Sequence, residues 1–300
     1  MSILLTGFKA ADLDRKTLSG DVVCHVLDIY HRHAIEKVHH VKAVCSAHLP
    51  EGEWEKIRFK TGPKLMSGEL ALEMLQECSD AVGGDSKRVE LVFTGRERER
   101  NDLWAKVFGK DARKRDFSAH YTASVPGSKP ISLVSLPGCF CHRRTDEGGL
   151  ALAETVAKEI GPGKKLLDMG CGSGLVGFLV ASAVPGTSLV MVDSHSRATE
   201  AAEINSKALG IPAEIILADN GTPERMDGTF DVFAGNPPYY SEYRIAEVFC
   251  ETALRALKRG GVSYLVCKNA AGLEPVVRKY FPSVEIAKRR GYAVLKSVKP

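Results

Sequence analysis

An α/β fold in two consecutive domains is predicted by three features of this 300-residue sequence. Apolar runs of strand length alternate with helix-length stretches along most of the chain, the order that builds parallel sheets from strand–helix–strand units. The length suffices for two hydrophobic cores. One apolar strand, Leu166-Leu167-Asp168-Met169, runs into Gly170-Cys171-Gly172-Ser173-Gly174 and on into an apolar helix. In open α/β sheets, ligands gather where strands end in such turns.

The first domain, expected over residues 1–125, reads as strands at 21–27, 41–46, 54–59 and 89–93 and helices at 34–37, 65–76 and 102–108. Residues 54–59 alternate with period two, and 65–76 carry apolar residues at helical spacing before Gly83-Gly84. It contains no glycine-rich ligand turn, so a docking or scaffold role is expected. Residues 118–135, with Pro126-Gly127 and Pro130, read as a linker.

The second domain, expected over 126–300, opens with Leu-Pro-Gly-Cys-Phe at 136–140 and Asp146-Glu147-Gly148. Thr145 or Asp146 can cap the helix that starts near Leu150. Strands follow at 166–169, 188–192, 214–218, 230–235 and 262–267, with helices at 175–184, 198–209 and 245–258 between them. Gly260-Gly261 stops the last helix, and 284–287 with 292–296 suit a terminal strand pair.

Composition excludes several classes. Hydrophobic residues make up 44% and charged residues 26%, the balance of a soluble globular protein. No apolar run approaches the ~20 residues of a membrane helix. The N-terminal residues lack the basic start and sustained apolar core of a signal peptide, so a cytoplasmic location is expected. The eight cysteines form no C-x-x-C pair and the nine histidines no H-E-x-x-H spacing, so no metal is expected. The net charge of +4 is mild. Between Lys87 and Lys129, eleven basic residues stand against six acidic ones. That stretch can contact nucleic-acid phosphates, or its acids and bases can pair along a solvated helix.

The glycine turn carries the first chemical argument. Its third glycine comes one residue earlier than in a dinucleotide fingerprint, and Asp168 stands two residues before the first. A carboxylate there repels a pyrophosphate but can accept hydrogen bonds or attract a cationic centre. The motif resembles the first motif of class I S-adenosylmethionine-dependent methyltransferases, whose cofactor carries an amino group and a sulfonium. The resemblance implies a cofactor site made of Asp168, Gly170, Cys171, Gly172 and Gly174, then Asp193 and Ser194 after the next strand. There Asp193 can accept both ribose hydroxyls. Asp219 can accept from the adenine amino group and the Asn220 N–H can donate to a ring nitrogen, with Asn236 at the same edge.

Asn236-Pro237-Pro238-Tyr239 after the fourth strand carries the second. An exocyclic or amide nitrogen is a poor nucleophile because its lone pair is delocalised. The Asn236 side-chain oxygen and the Pro237 carbonyl can accept its two hydrogens and turn the lone pair towards a methyl group. Consecutive prolines fix the backbone and remove donors, so the carbonyls are held as acceptors. Tyr239 offers a stacking face.

The segment from Leu136 to Lys296 resembles the 16S ribosomal RNA guanine-N2 methyltransferase family, the small-subunit methyltransferase C type. Leu-Pro-Gly-x-Phe, Asp-x-Gly, the glycine turn, Asn-Pro-Pro-aromatic and Gly-Gly occur here in that family's order. The resemblance implies a Rossmann-like class I methyltransferase domain with a mostly parallel sheet and helices on both faces, preceded by a degenerate methyltransferase-like copy. It implies S-adenosylmethionine as cofactor, ribosomal RNA or a ribosomal subunit as partner, and Asn236, Pro237, Pro238 and Tyr239 as the residues that hold the target amine. Tyrosine at the fourth motif position is shared with adenine-N6 nucleic-acid and protein glutamine methyltransferases, so both stay open as alternatives. A non-enzymatic RNA-binding module would not need the two intact motifs.

Overall fold

The computed structural model describes residues 2–238 and 244–300. Tyr239, expected to stack on the acceptor, lies outside the described residues. The chain forms two compact units. Unit 1 holds Met1–Ser118 with the short segments Leu136–Gly138 and His195–Arg197, and unit 2 holds the remainder.

Unit 1 comprises β1 (Ser2–Thr6), β2 (Val22–Val26), α1 (Ile29–His39), β3 (Ala43–Cys45), β4 (Trp54–Thr61), α2 (Gly68–Ala81), β5 (Val89–Phe93) and α3 (Glu97–Phe108). The sheet has the order β3-β2-β1-β4-β5 and every pairing is parallel. Its central strand β1 is absent from the sequence reading, because five residues at the N-terminus give too short a run for periodicity. Neighbouring β1 side chains face opposite sides, as period two requires: Leu4 packs with α2 residues Leu70, Met74 and Leu75, and Leu5 with Ile35 of α1. Helix α1 starts ahead of its expected position because the Asp28 carboxylate accepts the Tyr30 N–H and caps it. On α3, Arg100 pairs with Glu97 at 3.2 Å and Arg98 with Asp102 at 3.9 Å, while Arg96 pairs with Glu99. The charge run on this helix is thus a self-paired solvated face.

Unit 2 begins at Ala119, ahead of the border expected at 125. The expected linker is a hairpin of β6 (Ala119–Ala123) and β7 (Ile131–Ser135), paired antiparallel. Its Pro and Gly signals mark the hairpin loop, and its apolar residues Ala123, Val125, Ile131 and Leu133 enter the core of unit 2. Then come α4 (Glu147–Glu159), β8 (Lys165–Met169), α5 (Leu175–Ala183), β9 (Ser188–Asp193), α6 (Ser196–Leu209), β10 (Ala213–Leu217), β11 (Phe230–Gly235), α7 (Arg244–Ala256), β12 (Leu257–Cys267), α8 (Ala270–Arg278), β13 (Glu285–Arg289) and β14 (Tyr292–Val298). The sheet order is β10-β9-β8-β11-β12-β14-β13, parallel as far as β12 and antiparallel over the last two strands.

Both faces of this sheet are covered. Leu166, Leu189, Met191, Val232 and Val266 pack with residues of α4 and α5, among them Ala151, Phe178 and Leu179. Leu167, Val190, Phe233 and Leu265 pack on the other side with Phe249, Cys250 and Ala253 of α7 and with Leu273 and Val277 of α8. Phe178 is completely buried, a contribution of roughly 1.5–3 kcal/mol from area removed from water. Helix α8 is missing from the sequence reading because Pro275 lies inside it. Helix α7 ends at Ala256, and the chain passes directly into β12 without the stop expected at Gly260-Gly261.

Candidate active site

The site lies along the carboxyl edge of the unit 2 sheet. Pairings of Leu217 with Asp193, Val192 with Met169, and Met169 with Gly235 bring the ends of β10, β9, β8 and β11 side by side. Asp219-Asn220, Asp193-Ser194, the glycine turn and Asn236 therefore follow four adjacent strands, as their spacing in the sequence predicts.

The turn is shaped by glycine at two positions in particular. Gly174 has φ +87° and stands at the head of α5, where a Cβ would come within 2.3 Å of the Phe178 ring. Gly172 has φ +56°, and a Cβ there would meet nothing within 4 Å. Its backbone thus faces space that a ligand can approach closely. The turn is stitched to β9 by Gly170 and Cys171, whose N–H groups both donate to the Val192 carbonyl at 2.8 and 3.1 Å. Cys171 is buried, and burial raises its thiol pKa well above the usual range; among neighbouring charges, Asp193 and Asp168 add to the rise. It stays a packed thiol, and its part in the turn is played by its backbone.

Asp193 accepts the Gly172 N–H at 2.9 Å, so the residue expected at the ribose also sets the shape of the turn. Asp168 is buried at 2% exposure and accepts the Gly177 N–H at 2.9 Å, which fixes the first turn of α5. Burial raises its carboxyl pKa to about 7, with the nearby Asp193 charge adding to the effect. Asp219 is half-buried and Asn220 exposed, beyond the end of β10.

Asn205 of α6 and Tyr121 of β6 escaped the sequence reading. The Asn205 side chain is completely buried; it donates to the Ser173 carbonyl at 2.9 Å and to the Val134 carbonyl at 2.8 Å, and accepts the Val134 N–H at 2.7 Å. Tyr121 Oη and Ser173 Oγ lie 2.7 Å apart. The hairpin is thereby tied to the glycine turn. Such contacts join residues far apart in the chain, and no local pattern announces them.

Asn236 is half-buried and Pro237 buried. The Asn236 Nδ2 donates to Asp146 Oδ2 at 2.7 Å. That leaves Oδ1 as the end of the carboxamide turned away from Asp146. Asp146 also caps α4, as its sequence position predicts, by accepting the N–H groups of Gly148 and Gly149. Among the described residues no group of three or more His, Cys, Asp or Glu could hold a metal ion, and no helix is long and apolar enough to cross a membrane.

A family model for the methyltransferase small domain matches residues 130–296. The chain belongs to this family. The matched span holds the glycine turn, Asp146, Asp193, Asn205, Asp219 and Asn236, while Tyr121 precedes it. Among curated relatives, the ribosomal RNA small subunit methyltransferase C of Pseudomonas syringae pv. syringae is 29% identical over 176 residues, 57% of this chain and 52% of that protein. The protein of the same name from Pseudomonas aeruginosa is 30% identical over 172 residues, 55% of this chain and 50% of that protein. The chain spans about half the length of the curated relatives it matches. A solved T. thermophilus 16S rRNA N2 methyltransferase, in complex with AdoMet and guanosine, superposes with a TM-score of 0.81 at 18% identity, covering 100% of this chain and 88% of that one. The likeness establishes the fold over both units, including the N-terminal sheet that precedes the methyltransferase small domain.

Proposed function

We propose that this protein transfers a methyl group from S-adenosylmethionine to the exocyclic N2 of a guanine in 16S ribosomal RNA, in the cytoplasm. The observation that carries the reading is the orientation of Asn236: its NH₂ end is bound to Asp146, so its oxygen is the end offered to an amine. The names of the relatives and the guanosine held by the T. thermophilus protein support guanine as the acceptor.

The residues present fit such a cofactor. Gly172 leaves room for close approach, Asp193 sets negative charge beside the turn while buried Asp168 holds the Gly177 N–H, and Asp193 and Asp219 stand at the ends of adjacent strands. In this reading Gly170, Gly172 and Gly174 bring backbone against the methionine part, Asp193 with Ser194 borders the ribose, and Asp219 with Asn220 the adenine. When bound, S-adenosylmethionine supplies a methyl group made electrophilic by its sulfonium. Asn236 Oδ1 and the Pro237 carbonyl accept the two N–H groups of the guanine amine, drawing its lone pair out of conjugation. Pro238 holds that carbonyl in place through its fixed φ. Tyr239, the fourth residue of the motif, supplies the stacking face in this reading. The amine is engaged in pairing inside a helix, so the target base must be unpaired or flipped. Rate then comes from positioning and fixed dipoles rather than from a strong base.

The test is incubation with labelled S-adenosylmethionine and small ribosomal subunits lacking the modification, followed by nucleoside analysis. Labelled N2-methylguanosine is expected. Label in N6-methyladenosine, or in glutamine of a protein acceptor, would replace the proposed substrate with one of the alternatives.

A further inference from the structure

A carboxamide has two ends of nearly the same size, and only one can serve an amine acceptor. Rotation of the Asn236 amide by half a turn would present NH₂ to the substrate's NH₂, donor against donor. Something must therefore discriminate the two ends. The Asp146 side chain does so, because its oxygens accept in all three of its hydrogen bonds: at 2.7 Å it faces Nδ2 and not Oδ1.

Asp146 is itself rigidly held. Its Oδ1 accepts the Gly148 N–H at 3.0 Å and its Oδ2 the Gly149 N–H at 2.8 Å, so the head of α4 fixes the carboxylate plane. The two glycines let the groups come together. A Cβ on Gly149 would lie 2.8 Å from Asp146 Oδ2, and one on Gly148 would lie 3.4 Å from Asn236 Nδ2 and 3.1 Å from the Tyr292 ring. The Asp-x-Gly-Gly sequence at 146–149 thus builds a helix cap whose outer oxygen is within reach of the residue after β11.

We propose that Asp146 is a positioning residue for methyl transfer, locking the Asn236 carboxamide with its oxygen towards the acceptor amine. The proposal rests on the methyl-transfer reading above, and it also makes a claim about the protein without substrate. Asp146→Ser retains a side chain able to cap α4 but too short to hold Asn236. Asp146→Asn keeps the shape and removes the charge.

Two measurements test it. In ¹⁵N-labelled protein without substrate, the Asn236 side-chain N–H bound to the carboxylate is expected downfield and slow to exchange, and both variants are expected to shift it upfield. With S-adenosylmethionine and ribosomal subunits, Asp146→Ser is expected to lower kcat roughly 10- to 100-fold, by analogy with the outer-shell partners that orient metal-ligating side chains, with cofactor Kd and KM nearly unchanged. Asp146→Asn should fall between it and the parent. In an Asn236→Ala background, Asp146→Ser is expected to change kcat less than about twofold, because the group it orients is gone. An unmoved amide resonance, an unchanged kcat, or a full loss repeated in the Asn236→Ala background overturns the proposal. Should the parent protein methylate no RNA, the methyl-transfer reading fails, while the amide resonance still decides the Asp146–Asn236 lock.

Discussion

The two units share a strand order and differ at the strand ends. β3-β2-β1-β4-β5 and β10-β9-β8-β11-β12 follow the same route, with the central strand first in sequence. In unit 2 the chain leaving β8 turns through glycines and leaves the space beside Gly172 open. In unit 1 the chain leaving β1 is Gly7-Phe8-Lys9, and Phe8 is buried at 5% exposure with the Arg58 guanidinium 5.9 Å from its ring centre. Two residues before the first glycine, buried Leu5 stands where unit 2 has Asp168. Asp28, after β2, is occupied as a helix cap, whereas Asp193, at the end of β9, supports the turn. The chain leaving β4 reads Gly62-Pro63-Lys64 and offers no carboxamide. A shared sheet thus gives the scaffold alone; chemistry depends on what a few strand-end side chains leave open.

That contrast can be broken from either side. In unit 1, Phe8→Ala is expected to cost about 3–5 kcal/mol, the range for removing a core aromatic, and to create no affinity for S-adenosylmethionine. Urea unfolding with calorimetry checks both parts, and acquired cofactor binding would show that Phe8 alone accounts for the difference between the two units. In unit 2, Asn236→Ala is expected to reduce kcat by about 10²–10³-fold, as for loss of one preorganised partner of the reacting group, while cofactor Kd holds. A parallel loss of both would remove Asn236 from the acceptor role. Asp193→Ala is expected to weaken cofactor binding by about 1–3 kcal/mol in titration calorimetry, the value of a charge-assisted hydrogen bond; unaltered affinity would count against the ribose assignment.

The last effect, one of pH rather than of ligand affinity, concerns Asp168, where unit 1 keeps a leucine. Its folded pKa of about 7 lies above the ordinary carboxylate value near ~3.9, so the folded state holds the proton more tightly than the unfolded state does. Its contribution to stability is complete below about pH 4 and lost as the pH rises towards 7. Asp168→Asn, which can still accept the Gly177 N–H, is expected to be more stable than the parent at pH 8 without ligand, with the advantage vanishing near pH 4. Tm measured across that interval for both proteins gives the difference directly. A difference independent of pH would show that Asp168 does not titrate there.

Much of unit 2 was legible in the sequence because its signals are strong and local. Buried strands are unbroken apolar runs, the glycine turn is compact, and each acid closes a strand. Unit 1 is legible in outline only. Its central strand is short, and α1 is a polar helix whose start is marked by Asp28 rather than by apolar spacing. The hairpin reads as a linker in the sequence because turn residues signal a change of direction without saying whether the flanking strands pair. At the site, the sequence places Asp168, Asp193, Asp219 and Asn236 at strand ends, and the structure has them along one sheet edge. The partners that orient them are not legible there, since Asn205 reaches Val134 across 71 positions and Asn236 reaches Asp146 across 90. Periodicity carries no information about such pairings; they follow from sheet order.

These separations also govern the sequence of events during synthesis. Translation runs from the N-terminus, so Asp146 and the glycine turn leave the ribosome well before Asn205 and Asn236 follow. A nascent chain that has produced only the turn lacks both the clamp on Ser173 and the amide that would receive a base. In the proposed reading, the half-made polypeptide therefore lacks its acceptor notch until the chain beyond β11 has been delivered.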